Sequence, residues 1–152
     1  MNTYLDEAFR KIKEYSKLEE EINDLLFQGY FEMFLEQIKT DEFEEKLKTF
    51  IEEAKKQKES SITLSLNICD FRYFDAVGDF PSLSLYAICN PSQRYEDLEY
   101  IQCDYNTKAN NKIQIKYSDA IKDILENIIN RMGLKFVRTK ETQFEIIFTD
   151  GE

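Results

Sequence analysis

Two stretches of the chain interleave carboxylates with aromatic rings: DFRYFDAVGDF, residues 70–80, and RYEDLEYIQCDY, residues 94–105. The chemistry that such groups perform is recognition. Carboxylates steer a basic partner toward the surface, and Tyr or Phe supply contact area at the centre of an interface. On this reading Asp70, Tyr73, Asp75, Asp79, Tyr95, Glu96, Asp97 and Glu99 form a partner-binding face. A narrower version is nucleic-acid mimicry, with carboxylates standing in for phosphates along a groove. Mimicry needs a charge about every 3.4 Å of strand. A net charge of −10, with 20 basic residues, is modest for that. The plain alternative is a solvated face whose charge favours solubility.

Bond-making chemistry has little to work with. The chain contains no histidine, so no Ser-His or Cys-His nucleophile can be assembled. Phosphate-binding glycine loops and a His-based zinc helix are also absent. Cys69, Cys89 and Cys103 are odd in number, widely spaced and set in or beside apolar runs. Buried free thiols in a reducing compartment fit them better than disulfides or a four-ligand zinc site, so no metal or cofactor is expected.

One catalytic alternative exists. Asp104 precedes Gln114-Ile115-Lys116 by nine intervening residues, and a helix follows. This resembles the restriction-endonuclease-like nuclease pattern, over about a third of the chain. The resemblance implies Asp104 as a Mg²⁺ ligand, Gln114 as a weak second ligand and Lys116 as an electrostatic stabiliser, on adjacent strands. The chain departs from that pattern in having Gln where a carboxylate is usual and in lacking a Pro before the Asp.

Length and composition set the frame. A chain of 152 residues fits one domain and can bury a real core without staples. Apolar residues make up 42%, and only 4 Gly and 2 Pro occur, which excludes a low-complexity chain. No apolar run approaches the ~20 residues of a membrane span, so no membrane association is expected. The opening MNTYLDEAFRKIKEYS has an early acid and no unbroken apolar block, so it does not read as a signal peptide. The expected location is the cytoplasm. The acidic balance disfavours direct nucleic-acid binding and favours a partner with a basic surface, a nucleic-acid-binding protein being one such class.

Charge is uneven along the chain. Residues 1–59 carry 10 basic and 16 acidic side chains; residues 70–104 carry 2 and 7; residues 108–140 carry 8 and 3. The basic stretch spreads its charges singly, as a solvated surface does.

The elements that must position these residues follow from periodicity. Residues 3–58 read as three helices. Tyr4, Leu5, Phe9, Ile12 and Tyr15 have helical spacing, a second helix spans about 18–39, and a third opens at Asp41 with Glu44 as a capping-box partner. At Ser61 the period switches to two, and SITLSLNIC is a half-buried strand. Residues 70–82 read as a short strand or loop. LSLYAIC (83–89) is a strand apolar on both faces and a candidate for the sheet centre. LEYIQCDY and KIQIKY read as a hairpin joined by NTKANN. Ser118 caps a helix over 118–132 that Gly133 stops, and LKFVRT and TQFEIIF close as a hairpin. The expected fold is α+β: a helical segment over 1–58, then a mostly antiparallel sheet with one further helix over 60–152.

LLFQGYFEMFLEQI, residues 25–38, is the most aromatic helix. Its apolar arc covers about 200° of the wheel, wider than the ~100° stripe of an ordinary surface helix. It is expected to be central, with helices on one flank and the sheet on the other. The alternative leaves Phe27, Phe31 and Phe34 open as a partner or homodimer face of a structural, self-assembling subunit. Gly29 is expected to admit a closely approaching helix. The leading functional expectation is a non-catalytic inhibitor that masks a basic surface. In composition and size it has the general look of an immunity or antitoxin protein, or of a phage anti-defence protein such as an anti-CRISPR.

Overall fold

The computed structural model describes residues 3–69, 82–102 and 111–148. Among these residues three helices, α1 (Thr3–Ile38), α2 (Asp41–Lys56) and α3 (Asn111–Arg131), accompany five strands. The strands are β1 (Ser61–Cys69), β2 (Ser82–Asn90), β3 (Tyr95–Gln102), β4 (Lys135–Lys140) and β5 (Gln143–Ile147). All described pairings are antiparallel, and the order is β3-β2-β1-β5-β4. The fold is α+β, as the switch of period at Ser61 predicts.

The sheet core follows from alternation. Ile62, Leu64 and Leu66 of β1 face the same way, and their register partners are Cys89, Ala87 and Leu85 on β2, with Ile146 and Phe144 of β5 opposite Ile62 and Leu64. All of these are buried, in one core with Phe31, Phe34, Phe50, Ile121 and Leu125 from the three helices. The centre of the sheet is therefore β1, with the more apolar β2 beside it.

Three boundaries differ from the sequence expectation. The expected first and second helices are one helix of 36 residues. No Gly or Pro lies between Thr3 and Gln28, and extending a helix is easier than nucleating another. Secondly, KIQIKY is helical, not a strand, so the hairpin with LEYIQCDY does not form. Ile113, Ile115 and Tyr117 satisfy a period of two. Ile113, Tyr117, Ile121 and Leu125 also satisfy i, i+4, however, and the strong downstream helix propagates backward through them. Thirdly, Ser118 is buried within α3 and is not its cap.

The remaining punctuation is local chemistry. Thr40, not Asp41, is the N-cap of α2: its Oγ1 accepts from the Phe43 N–H at 3.2 Å and donates to the Gln37 carbonyl at 2.8 Å. Gly133 ends α3 at φ +74°, the left-handed conformation that glycine takes without a Cβ penalty. Gly29 has nothing within 4 Å of where a Cβ would stand, so no close helix approach explains it.

α1 divides in two. Phe27, Phe31, Phe34, Leu35 and Ile38 are buried against α3, α2 and the β2–β3 half of the sheet. Every residue from Thr3 to Ile22 is exposed.

Candidate functional site

Of the eight residues expected to form the acidic-aromatic face, Asp70, Tyr73, Asp75 and Asp79 lie outside the described residues. Tyr95, Glu96, Asp97 and Glu99 are brought together on β3, an edge strand of the sheet. The face is shaped by a register shift. Tyr86 pairs with Asp97 and Leu85 with Glu99, so Leu98 is an extra residue in the ladder. Leu98 and Ile101 both point into the core, although three positions separate them. Strict alternation from Leu98 would have turned Tyr100 inward; the bulge turns it out, where it is half-exposed with Tyr95.

Tyr95 packs against Tyr86, with ring centroids 5.3 Å apart and planes tilted by 47°. The Tyr95 hydroxyl donates to Asp97 Oδ1. That hydrogen bond, aided by partial burial and the Asp97 charge, pushes the Tyr95 phenol up to about 12. Glu99 Oε1 accepts from the Tyr100 N–H at 3.1 Å. No described residue forms an ion pair with Glu96, Asp97 or Glu99. Beside them lies a groove of about 400 Å³ between the α1–α2 turn and β3, lined by residues including Thr40, Lys46, Leu98 and Tyr100. Lys46 Nζ donates to the Leu98 carbonyl at 3.3 Å, covering part of the open edge.

The described arginines are paired away from these carboxylates. Arg94, at the start of β3, stacks its guanidinium 4.6 Å from the centroid of Phe50 and pairs with Glu53 at 3.4 Å. Arg131 pairs with Glu44, and Arg138 Nη1 lies 2.6 Å from Asp119. Within the basic stretch, Arg131 thus pairs with α2, and Lys122 and Arg138 pair with carboxylates of α3.

Cys89 is free and buried, and burial is the largest influence raising its thiol above the ordinary value, with Arg94 pulling the other way. It is a core side chain. Cys69 and Cys103 have no described side chains. Gln114 and Lys116 sit on α3, where two residues of separation place them on opposite sides of the helix, not on a strand as the nuclease pattern requires. Asp104 lies outside the described residues. Among the described residues no group of three His, Cys, Asp or Glu could hold a metal ion, and no described helix is long and apolar enough to cross a membrane.

The alternative face does not exist as an open surface. Phe27, Phe31 and Phe34 are at most 2% exposed, because α2, α3 and the sheet close over both sides of the wide apolar arc. Phe31 makes an edge contact with Phe27 at 4.7 Å and stacks on Tyr117 at 4.8 Å. Tyr117 donates its hydroxyl to Glu32 Oε1 at 2.6 Å. The exposed residues that sequence reasoning missed lie one stretch earlier: Phe9, Ile12, Tyr15, Leu18, Ile22 and Leu25 are all exposed. Their helical spacing was visible, but spacing alone reads as a core stripe. Compared with family models, with curated proteins and with solved structures, the chain matches none.

Proposed function

We propose that this chain is a non-catalytic acidic binding protein that occupies a basic functional surface of a partner protein. The observation that carries the reading is the β3 edge. Exposed Tyr95 and Tyr100 sit there among Glu96, Asp97 and Glu99, and no described cation neutralises those carboxylates. An edge strand offers unpaired backbone groups, tyrosines offer rigid contact area, and the carboxylates select a cationic partner and speed its approach. Masking such a surface is how an immunity-like or anti-defence-like inhibitor would act, and a nucleic-acid-binding protein is the class with the most suitable basic surface.

The test compares the full chain with the triple variant Glu96→Lys, Asp97→Lys, Glu99→Lys as baits in a native host lysate, with mass spectrometry of what is retained. The expected result is a protein with a basic surface that the wild type retains and the variant loses. A partner retained equally by both at physiological salt removes the β3 edge from the role.

A further inference from the structure

We propose that the first part of α1 is a homodimerisation arm, and that two copies of the chain pair antiparallel along it. Phe9, Ile12, Tyr15, Leu18, Ile22 and Leu25 are 49–69% exposed and succeed one another at steps of 3 or 4 residues, mean spacing just over 3. At about 100° per residue, the five from Ile12 to Leu25 lie within about 140° of the helix circumference and make one broad face, with Phe9 about 60° further round. Contiguous exposed apolar surface of this size marks an interface. A helix exposed at every residue over about 30 Å is also marginal by itself in water, because most helical stability comes from a packed face.

Charge selects the occupant and its direction. Residues 10–17 carry Arg10, Lys11, Lys13 and Lys17 against Glu14, a net of +3. Residues 19–24 carry Glu19, Glu20, Glu21 and Asp24, a net of −4. An antiparallel second copy sets each block against its opposite. A parallel copy sets like on like in both blocks. The local pairs of Arg10 with Glu14 at 3.0 Å and Lys11 with Glu7 at 3.8 Å are exposed, contribute little, and leave the block net positive. Residues 3–25 hold four basic and seven acidic side chains, leaving −7 for the rest of the chain. Antiparallel pairing puts those two acidic bodies at opposite ends of the arm, whereas parallel pairing would crowd them together.

The area suffices. The five side chains from Ile12 to Leu25 share one face and would bury roughly 500 Å² per copy, about 1,000 Å² in all, the area a biological interface must reach. The stripe does not involve Phe27, Phe31 or Phe34, which stay in the core, and it is separate from the β3 edge.

Light scattering and sedimentation of the full chain over a dilution series would decide. The expected species has twice the chain mass. Ile12→Glu with Leu18→Glu should convert it to a monomer, with the near-ultraviolet dichroism of the body unchanged because both positions are exposed. Raising the salt should weaken the wild-type dimer several-fold, since complementary blocks are screened at short range. Any of four results overturns the proposal: a monomer at every concentration, which would leave the stripe to a different protein; a dimer that survives both substitutions; a larger oligomer; or a dimer that salt tightens, which signals like charges facing each other.

Discussion

Ser118 and Tyr117 are neighbours on α3, and each makes a prediction of its own. Ser118 is fully buried, and its hydroxyl has no hydrogen-bond partner among the described residues. Leaving a buried hydroxyl unpaired costs about 1 kcal/mol or more, and Ala is the better helix former. Ser118→Ala should therefore stabilise the chain by about 1 kcal/mol, read as a rise in the denaturation midpoint. Tyr117 is held neutral by burial and by its bond to Glu32, which push its phenol up to about 12 from 10.0. Since the folded value lies above the unfolded one, the stabilisation is whole below pH 10 and is lost as pH rises through about 12. Alkaline unfolding should begin in that window. In Tyr117→Phe, melting temperature should fall less steeply across it than in the wild type; equal slopes would remove Tyr117 as the cause.

At the scale of the element, α1 is one helix with two environments. Its second half is core: Phe31 is fully buried between Phe27 and Tyr117. Phe31→Ala removes a large side chain from a packed site and should cost about 3–5 kcal/mol. Phe9, on the same helix, is 57% exposed. Phe9→Ala should change the stability of the dilute chain by no more than about 0.5 kcal/mol. Chemical denaturation of both variants at low concentration checks the pair. Equal costs would mean that the first half of α1 is packed as firmly as the second.

At the scale of the whole molecule, charge is partitioned and not merely abundant. Among the described residues, Arg131 pairs with Glu44 of α2 and Arg138 with Asp119 of α3. The β3 carboxylates are left for solvent or a partner. Binding through that edge should therefore show a steep loss of affinity and of association rate with ionic strength. Titrating a captured partner at rising salt measures it, and a salt-independent constant would point to an apolar contact elsewhere.

Much of the fold was legible in local sequence because its signals are short-range. Alternation in SITLSLNIC gives β1, Gly133 gives the end of α3, and the LKFVRT–TQFEIIF pair gives the closing hairpin, each from spacing of a few residues. KIQIKY was ambiguous for a physical reason: six residues fit both periods, and only the helix that follows decides between them. Half of the candidate face, Tyr95, Glu96, Asp97 and Glu99, could be read from composition. The outward turn of Tyr100 could not, because it depends on which residue of β2 each residue of β3 meets. The sequence also determined how much apolar surface α1 carries, and that its arc at residues 25–38 is too wide for one contact. Which part of that surface is covered was decided only in three dimensions. Burial depends on what else reaches the helix: α2, α3 and the sheet reach Phe27, Phe31, Phe34, Leu35 and Ile38, while Phe9, Ile12, Tyr15, Leu18, Ile22 and Leu25 stay exposed.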